Sequence, residues 1–164
     1  MAEYRRFDLN LWAEAPPERA GVLAAELTAA FTPYGTVRVE ARGPYGKIPE
    51  LLEFEVVLTP DAALADCAAA IGIVVEGEQA LWSRQWGGRL LLPSVHTVTG
   101  SAVESARPPR FTEGQAVRGP DGPAVVGSAH TDGESWTYWV ELPDGSLRYH
   151  PEADLASAGT RAPA

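Results

Sequence analysis

In the first 70 residues, the spacing of apolar residues switches repeatedly between that of a strand and that of a helix. In residues 4–12, apolar and polar side chains alternate, as in a strand with one buried face. After Pro16-Pro17-Glu18, apolar residues recur at helical spacing, and proline fits a first helical turn. Two further alternating runs follow. Thr59-Pro60-Asp61 then supplies the cap, proline and carboxylate that start a second helix, which Gly72 ends. This order predicts an α+β fold, a ferredoxin-like two-layer sandwich with both helices on one face of an antiparallel sheet.

The last third of the chain is rich in turn signals. Short strand-like runs alternate with Gly119-Pro120, Asp121-Gly122-Pro123, Asp132-Gly133 and Pro143-Asp144-Gly145. Closely spaced short strands with such turns are typical of a small barrel. Before them, residues 100–109 are rich in Gly, Ser, Ala and Pro, as in a linker. We therefore predict a sandwich domain over residues 2–99, a linker over 100–109, a barrel over 110–156 and a flexible tail over 157–164.

Composition narrows the choice of partners. The chain has 164 residues, with 13 Lys and Arg against 22 Asp and Glu, a formal net charge of −9. Such a charge disfavours nucleic acid and anionic membranes as binding partners, because proteins bind both through Lys and Arg. The single cysteine, Cys67, excludes an internal disulfide. No apolar run is long enough for a membrane span, and the start lacks a secretory signal, so we expect a cytoplasmic protein.

The last third resembles a known superfamily. The stretches that carry the likeness are Gly114-Gln115-Ala116-Val117, Asp121-Gly122, Tyr138-Trp139-Val140-Glu141-Leu142-Pro143-Asp144-Gly145 and Pro151-Glu152-Ala153-Asp154-Leu155. In them it is similar to SH3-like barrels of the Tudor and KOW type, which share a "G-x-x-V" strand, a strand ending in "D-G" and a closing "x-D-L". The resemblance implies a five-stranded SH3-like barrel that acts as a binding or docking module. RNA-contacting members are usually basic, whereas this segment is acidic.

Aromatic residues in this segment predict a binding surface. If Pro143-Asp144-Gly145 closes a hairpin, Trp139 lies opposite Tyr149 and Tyr138 lies opposite His150. One strand face then carries Trp136, Tyr138, Val140, Arg148 and His150, and the other carries Trp139, Glu141, Leu147 and Tyr149. A barrel this small buries only one face, so the other displays aromatic groups of the kind found in binding hot spots. The alternative is that these rings fill a thin core.

A second aromatic group precedes Gly87-Gly88, a dipeptide typical of a hairpin between residues 81–86 and 89–92. Trp82, Arg84 and Trp86 alternate, which places them on one strand face, where two indoles and a guanidinium could bind a carboxylate. The alternative is a packing cluster. The predicted partner-binding residues are Trp136, Tyr138, Trp139, Arg148, Tyr149, His150, Trp82, Arg84 and Trp86.

The sequence offers no catalytic signature. His130, Asp132 and Glu134 share one predicted loop, but their spacing matches no known metal site. Ser94 and His96 lack a nucleophile elbow and an orienting acid. We therefore predict no cofactor and no metal.

These observations favour a non-catalytic protein that binds another protein. A concrete version is a bacterial immunity-type inhibitor of a basic toxin, because an acidic surface speeds the capture of a basic partner. A second hypothesis is an enzyme or small-molecule binder that uses a cleft between the two domains, near His96, Glu104, Trp82 and Trp86. A third is a nucleic-acid reader that uses the barrel, which the negative charge disfavours.

Overall fold

The protein is a mixed α+β molecule built mainly from antiparallel strands, with two short helices. The structure is a computed structural model that describes residues 4–87 and 93–158. Its elements are β1 (Tyr4–Glu14), α1 (Ala20–Phe31), β2 (Gly35–Tyr45), β3 (Ile48–Pro60), α2 (Leu64–Ile71), β4 (Val74–Glu76), β5 (Gln79–Ser83), β6 (Val95–Ser105), β7 (Ala116–Gly119), β8 (Gly122–Thr131), β9 (Trp136–Glu141), β10 (Leu147–Pro151) and β11 (Ala156–Ser157).

The described chain forms two compact units. The first unit, Arg5–Val103, contains a six-stranded sheet in the order β2-β3-β1-β6-β5-β4. The second unit consists of Tyr4 and the described residues from Glu104 onward, and contains a five-stranded sheet in the order β10-β9-β8-β7-β11.

One hydrophobic core holds the first unit together. Alternate residues of β1 and β3 point into it, and α1 adds Leu23, Leu27 and Phe31, which lie on one helical face. The short helix α2 contributes its own buried face to the same core, including Cys67. Burial raises the pKa of the Cys67 thiol. Because both helices share one core with the inner faces of the strands, they cover the same face of the sheet.

The predicted start of the second helix is wrong. Thr59 and Pro60 belong to β3, where they pair with Thr36 and Gly35 of β2. The Asp61 N–H extends this pairing by donating to the Tyr34 carbonyl at 3.0 Å. The strand pairing therefore uses the residues whose local preference is to start a helix, and α2 begins only at Leu64.

The second unit has its own small core. Val117, Val126, Tyr138 and Val140 are buried on the inner face of the sheet, and Phe111 packs edge-on against Tyr138 at 5.4 Å between ring centroids. The predicted barrel is not closed. The sheet ends at β10 on one side and at β11 on the other, so among the described strands it is an open five-stranded sheet.

The segment predicted as a linker is ordered structure. β6 continues through Gly100 to Ser105, because it pairs with β5 as far as Ser101 and the Ala102 N–H donates to the Glu78 carbonyl at 2.8 Å. Residues 106–111 are bound to the second unit. At the other end, Ser157 of the predicted tail pairs in β11, and residues 159–164 lie outside the described part of the chain.

The strand predicted over residues 81–86 ends early. β5 stops at Ser83, whose hydroxyl accepts a hydrogen bond from the Gln85 N–H at 3.3 Å. Arg84–Trp86 then forms a 3-10 turn. Gly88 of the predicted Gly87-Gly88 hairpin and its predicted second strand, residues 89–92, lie outside the described residues.

Candidate functional site

Nine side chains form a regular array on the outer face of the second unit's sheet. The pairing of β8, β9 and β10 arranges them in three rows across the strands. We call this array the outer-face cluster, and its rows are Val125–Glu141–Leu147, Ser128–Trp139–Tyr149 and His130–Thr137–Pro151.

The apolar members of the outer-face cluster are unusually accessible. Leu147 is 57% exposed, Tyr149 49%, Val125 46% and Trp139 42%. Large side chains on the inner face of the same strands are buried, including Trp136 at 2% and Tyr138 at 0%. The sheet therefore has one face that forms the core and one that presents several large apolar side chains to solvent.

The two central rings are held in place by their neighbours. The Trp139 and Tyr149 rings lie 4.9 Å apart between centroids and tilted at 42°. The Tyr149 hydroxyl is hydrogen-bonded to Thr137, and its ring lies 6.2 Å from that of His130. The His130 Nε2 and Ser128 Oγ are 2.8 Å apart. Because the rings are already ordered, a ligand would lose little side-chain entropy on binding them.

A β-bulge sets which residues of β8 face outward. The register shifts between Val126 and Ser128, so that Gly127 is the extra residue. In a regular ladder, Ser128 and His130 would share the inner face with Val126. The bulge instead turns them to the outer face, beside Trp139. Sequence analysis placed His130 in a loop and missed this, because a bulge leaves no mark in the apolar pattern.

The cluster carries one carboxylate. Glu141 is exposed and lies between Val125 and Leu147 in the first row. The hairpin loop that follows it adds Asp144, whose pKa is lowered by hydrogen bonds from the Ser146 hydroxyl and N–H. A cation placed over Trp139 or Tyr149 would therefore meet the electron-rich ring faces and nearby negative charge.

The structure divides the aromatic residues of β9 and β10 between the two faces. The predicted register is confirmed, since Trp139 pairs with Tyr149 and Tyr138 pairs with His150. Trp136 and Tyr138 are core residues, so their side chains are not available to a partner. Trp136 instead donates from Nε1 to the Arg107 carbonyl at 3.0 Å and packs edge-on against Tyr4.

Arg148 and His150 lie at the margin of the inner face and turn towards the β7–β8 turn. The His150 Nε2 is 2.8 Å from the Asp121 carboxylate, and the Arg148 Nε lies 4.0 Å from it. Both contacts reach from the edge strand β10 across to the turn between β7 and β8. We infer that these two side chains hold β10 to the turn between β7 and β8.

Trp82, Arg84 and Trp86 do not share a strand face, contrary to prediction, because Arg84 and Trp86 lie in the 3-10 turn after β5. Trp82 is in the core at 6% exposure, whereas Trp86 is 60% exposed. The Arg84 guanidinium pairs with Glu14 at 3.1 Å and donates to three backbone carbonyls of residues 93–95. Its donors are engaged within the first unit, although the Arg84 side chain is, like Trp86, exposed to solvent.

A buried carboxylate in the second unit is fully occupied by protein partners. Glu152 accepts hydrogen bonds from the Tyr138 hydroxyl at 2.5 Å, from Arg107 at 2.6 Å and from the Arg110 N–H at 3.0 Å. Burial opposes its ionisation, but these hydrogen bonds prevail and lower the pKa of Glu152. Burial and the bond to Glu152 raise the pKa of Tyr138 to about 12. This arrangement fixes residues 107–111 against the sheet.

The acidic loop after His130 is also internally satisfied. The Asp132 carboxylate accepts from the Glu134 and Ser135 N–H groups at 2.9 and 2.8 Å and from the Ser135 hydroxyl at 3.1 Å. These bonds lower its pKa. Within residues 4–87 and 93–158, no group of three or more His, Cys, Asp or Glu side chains is arranged to hold a metal ion.

The chain matches no protein-family model, no curated protein and no solved structure. In the described part of the chain, neither helix has the length and apolar character needed to cross a bilayer.

Proposed function

We propose that the protein is a non-catalytic docking protein that binds a basic protein partner through the outer-face cluster. The observation that carries the proposal is the pair of ordered, half-exposed rings of Trp139 and Tyr149 at the centre of the cluster. Tryptophan and tyrosine are the residues most enriched in protein-binding hot spots. A central aromatic pair with an apolar and polar surround is the usual anatomy of a protein interface.

The charge of the surface supports a basic partner. Glu141 is the carboxylate within the cluster, Asp144 lies in the adjoining loop, and the whole chain has a formal net charge of −9. Arginine or lysine side chains of a partner would stack on Trp139 or Tyr149 and pair with Glu141. A more specific form of the proposal is that the partner is a basic toxin that the protein neutralises.

The finer description of the fold is part of the same proposal. Five antiparallel strands and the side-chain contacts from β10 to Asp121 support an open form of the SH3-like barrel for the second unit. In the first unit, the order β2-β3-β1-β6, with helices after β1 and β3, supports a ferredoxin-like plan into which the β4–β5 hairpin is inserted.

Site-specific crosslinking tests the proposed surface. A photo-reactive amino acid at Leu147, within the cluster, should crosslink one protein in the native cell extract. The same group at Val74, an exposed apolar position of the first unit at 44% exposure, should not. The crosslinked protein is then purified and its dissociation constant is measured against the unmodified chain and its variants.

The variants separate the cluster from other exposed aromatic groups. Trp139→Ala should weaken binding by about 2 kcal/mol or more, roughly thirtyfold, as expected for a central hot spot. Trp86→Ala removes an indole outside the cluster that is 60% exposed, more than Trp139, and should leave the affinity unchanged. The proposal is wrong if the two variants lose the same affinity, or if the Leu147 probe captures no protein that the Val74 probe does not.

A further inference from the structure

The strand β2 lies at the edge of the first unit's sheet, and half of its backbone groups point away from the sheet. The Asp61 N–H donates to the Tyr34 carbonyl, one position beyond the pair Gly35 and Pro60. Antiparallel partners alternate between bonded and non-bonded pairs, so the even-numbered residues of β2 bond to β3. The backbone groups directed to the open edge are those of Val37, Val39 and Ala41.

The side chains along this edge differ between the two faces of the sheet. On the helix-covered face, Val37 and Val39 are only partly buried against the core, and Ala41 is exposed. On the opposite face, Arg38 and Glu40 are exposed. Within the described residues, Arg38 has no ion pair in its own chain, whereas Glu40 pairs with Arg42 at 3.5 Å and is still more than half exposed.

We propose that β2 pairs antiparallel with β2 of a second copy of this chain, about a two-fold axis at Val39. In this register, Arg38 lies opposite Glu40 of the second copy, and the symmetry repeats the ion pair. On the other face, Val39 meets Val39 of the second copy, and Val37 meets Ala41. The outward backbone groups of both strands then bond to each other.

The proposed register meets three requirements at once. The outward backbone groups bond to each other, Arg38 faces Glu40, and apolar side chains meet on the other face. A shift of one residue would place bonding groups opposite residues that already bond to β3. A shift of two residues moves the axis to Arg38 or Glu40, which places that residue opposite its own copy and breaks the reciprocal pairing of Arg38 with Glu40. The bulge between Ala41 and Gly43, followed by Pro44, ends the regular edge just beyond the paired region.

Complementary charge reversals test the pairing directly. Light scattering over a concentration series should show the unmodified 17.5 kDa chain passing to twice that mass. In a dimer of Arg38→Glu, two carboxylates lie opposite each other, and in a dimer of Glu40→Arg, two guanidinium groups do. The two-fold symmetry repeats each repulsive pair, so every such dimer contains two of them. Each variant alone should raise the dimer dissociation constant about tenfold or more. An equimolar mixture of the two restores both ion pairs and should dimerise again.

Two further variants keep the test decisive. Val39→Pro removes an N–H that points away from β3 and takes no part in the pairing with β3, so it should abolish the dimer while circular dichroism stays unchanged. Glu18→Arg makes the same charge change outside β2 and should have no effect on the dissociation constant. The proposal fails if the unmodified chain is a monomer at every concentration, if the mixture stays monomeric, or if Glu18→Arg acts like Glu40→Arg.

Discussion

At the scale of single residues, the second unit depends on a buried carboxylate that accepts hydrogen bonds from three different groups. A buried charge is costly unless it is paired and hydrogen-bonded. Glu152 obtains these bonds from Tyr138, Arg107 and the Arg110 N–H. The sequence pattern predicted Tyr138 as a partner-binding residue. An aromatic residue in an alternating strand gives the same pattern whether its side chain faces a partner or the core.

The ionisation of Glu152 should make stability depend on pH. Because its pKa is lowered in the folded state, its contribution is fully present above the ordinary glutamate pKa of about 4.3 and is lost as pH falls through the folded value. Glu152→Gln removes this contribution. The difference in free energy of unfolding between the unmodified chain and Glu152→Gln should therefore be constant near neutral pH and shrink below about pH 4.

Urea unfolding at a series of pH values measures this difference. Glu18→Gln, a substitution elsewhere in the chain, serves as the control and should give a smaller and flatter difference. A Glu152→Gln difference that stays constant down to pH 3 would contradict the assignment of Glu152 as a buried, ionised partner of Tyr138.

At the scale of elements, turn chemistry predicted the hairpin between β9 and β10 correctly. Pro143-Asp144-Gly145 contains a glycine with φ of +85°, a conformation that favours glycine, and the Gly145 N–H donates to the Leu142 carbonyl at 2.9 Å. Short-range signals were sufficient here, because the turn and the register that it sets are local. They failed at Thr59-Pro60-Asp61, where pairing with the distant β2 decides the outcome.

Two alanine substitutions of glycine should have opposite effects on stability. Gly145→Ala forces a side chain into a left-handed conformation and should lower the free energy of unfolding by about 1 kcal/mol. Gly21→Ala lies in α1 with open space around it and should raise the free energy of unfolding by about 0.5–1 kcal/mol. Thermal unfolding of both variants tests the pair, and an equal shift in the same direction would contradict it.

At the scale of the whole molecule, composition and local pattern predicted a mixed α+β chain and an aromatic surface, and the structure gives the surface its boundaries. Trp139 and Tyr149 were among the predicted residues and lie on the outer face. Ser128, His130 and Thr137 were not predicted, since their position depends on the bulge and on the order of three strands. Arg84 was predicted to bind a partner, but its donors are used by a segment that only the tertiary fold brings near.

The net charge and the aromatic pair should act on different steps of partner binding. Charge speeds encounter, whereas a central ring slows dissociation. With the crosslinked partner, Glu141→Gln should lower the association rate most at low salt, and Trp139→Ala should mainly raise the dissociation rate. Surface plasmon resonance at two salt concentrations separates the rates. An association rate that does not respond to salt would rule out a basic partner.

The bulge at Gly127 has a consequence for how this surface can change over time. Deleting that one residue would give a regular ladder in which Ser128 follows Val126 directly, so Ser128 and His130 would still lie opposite Trp139 and Thr137. If Gly127 were instead kept and drawn into the ladder, Gly127 and Ala129 would take those two places, and the hydroxyl and imidazole would turn to the inner face. The surface beside the aromatic pair can therefore tolerate the loss of this codon, but not the loss of the bulge with the codon kept.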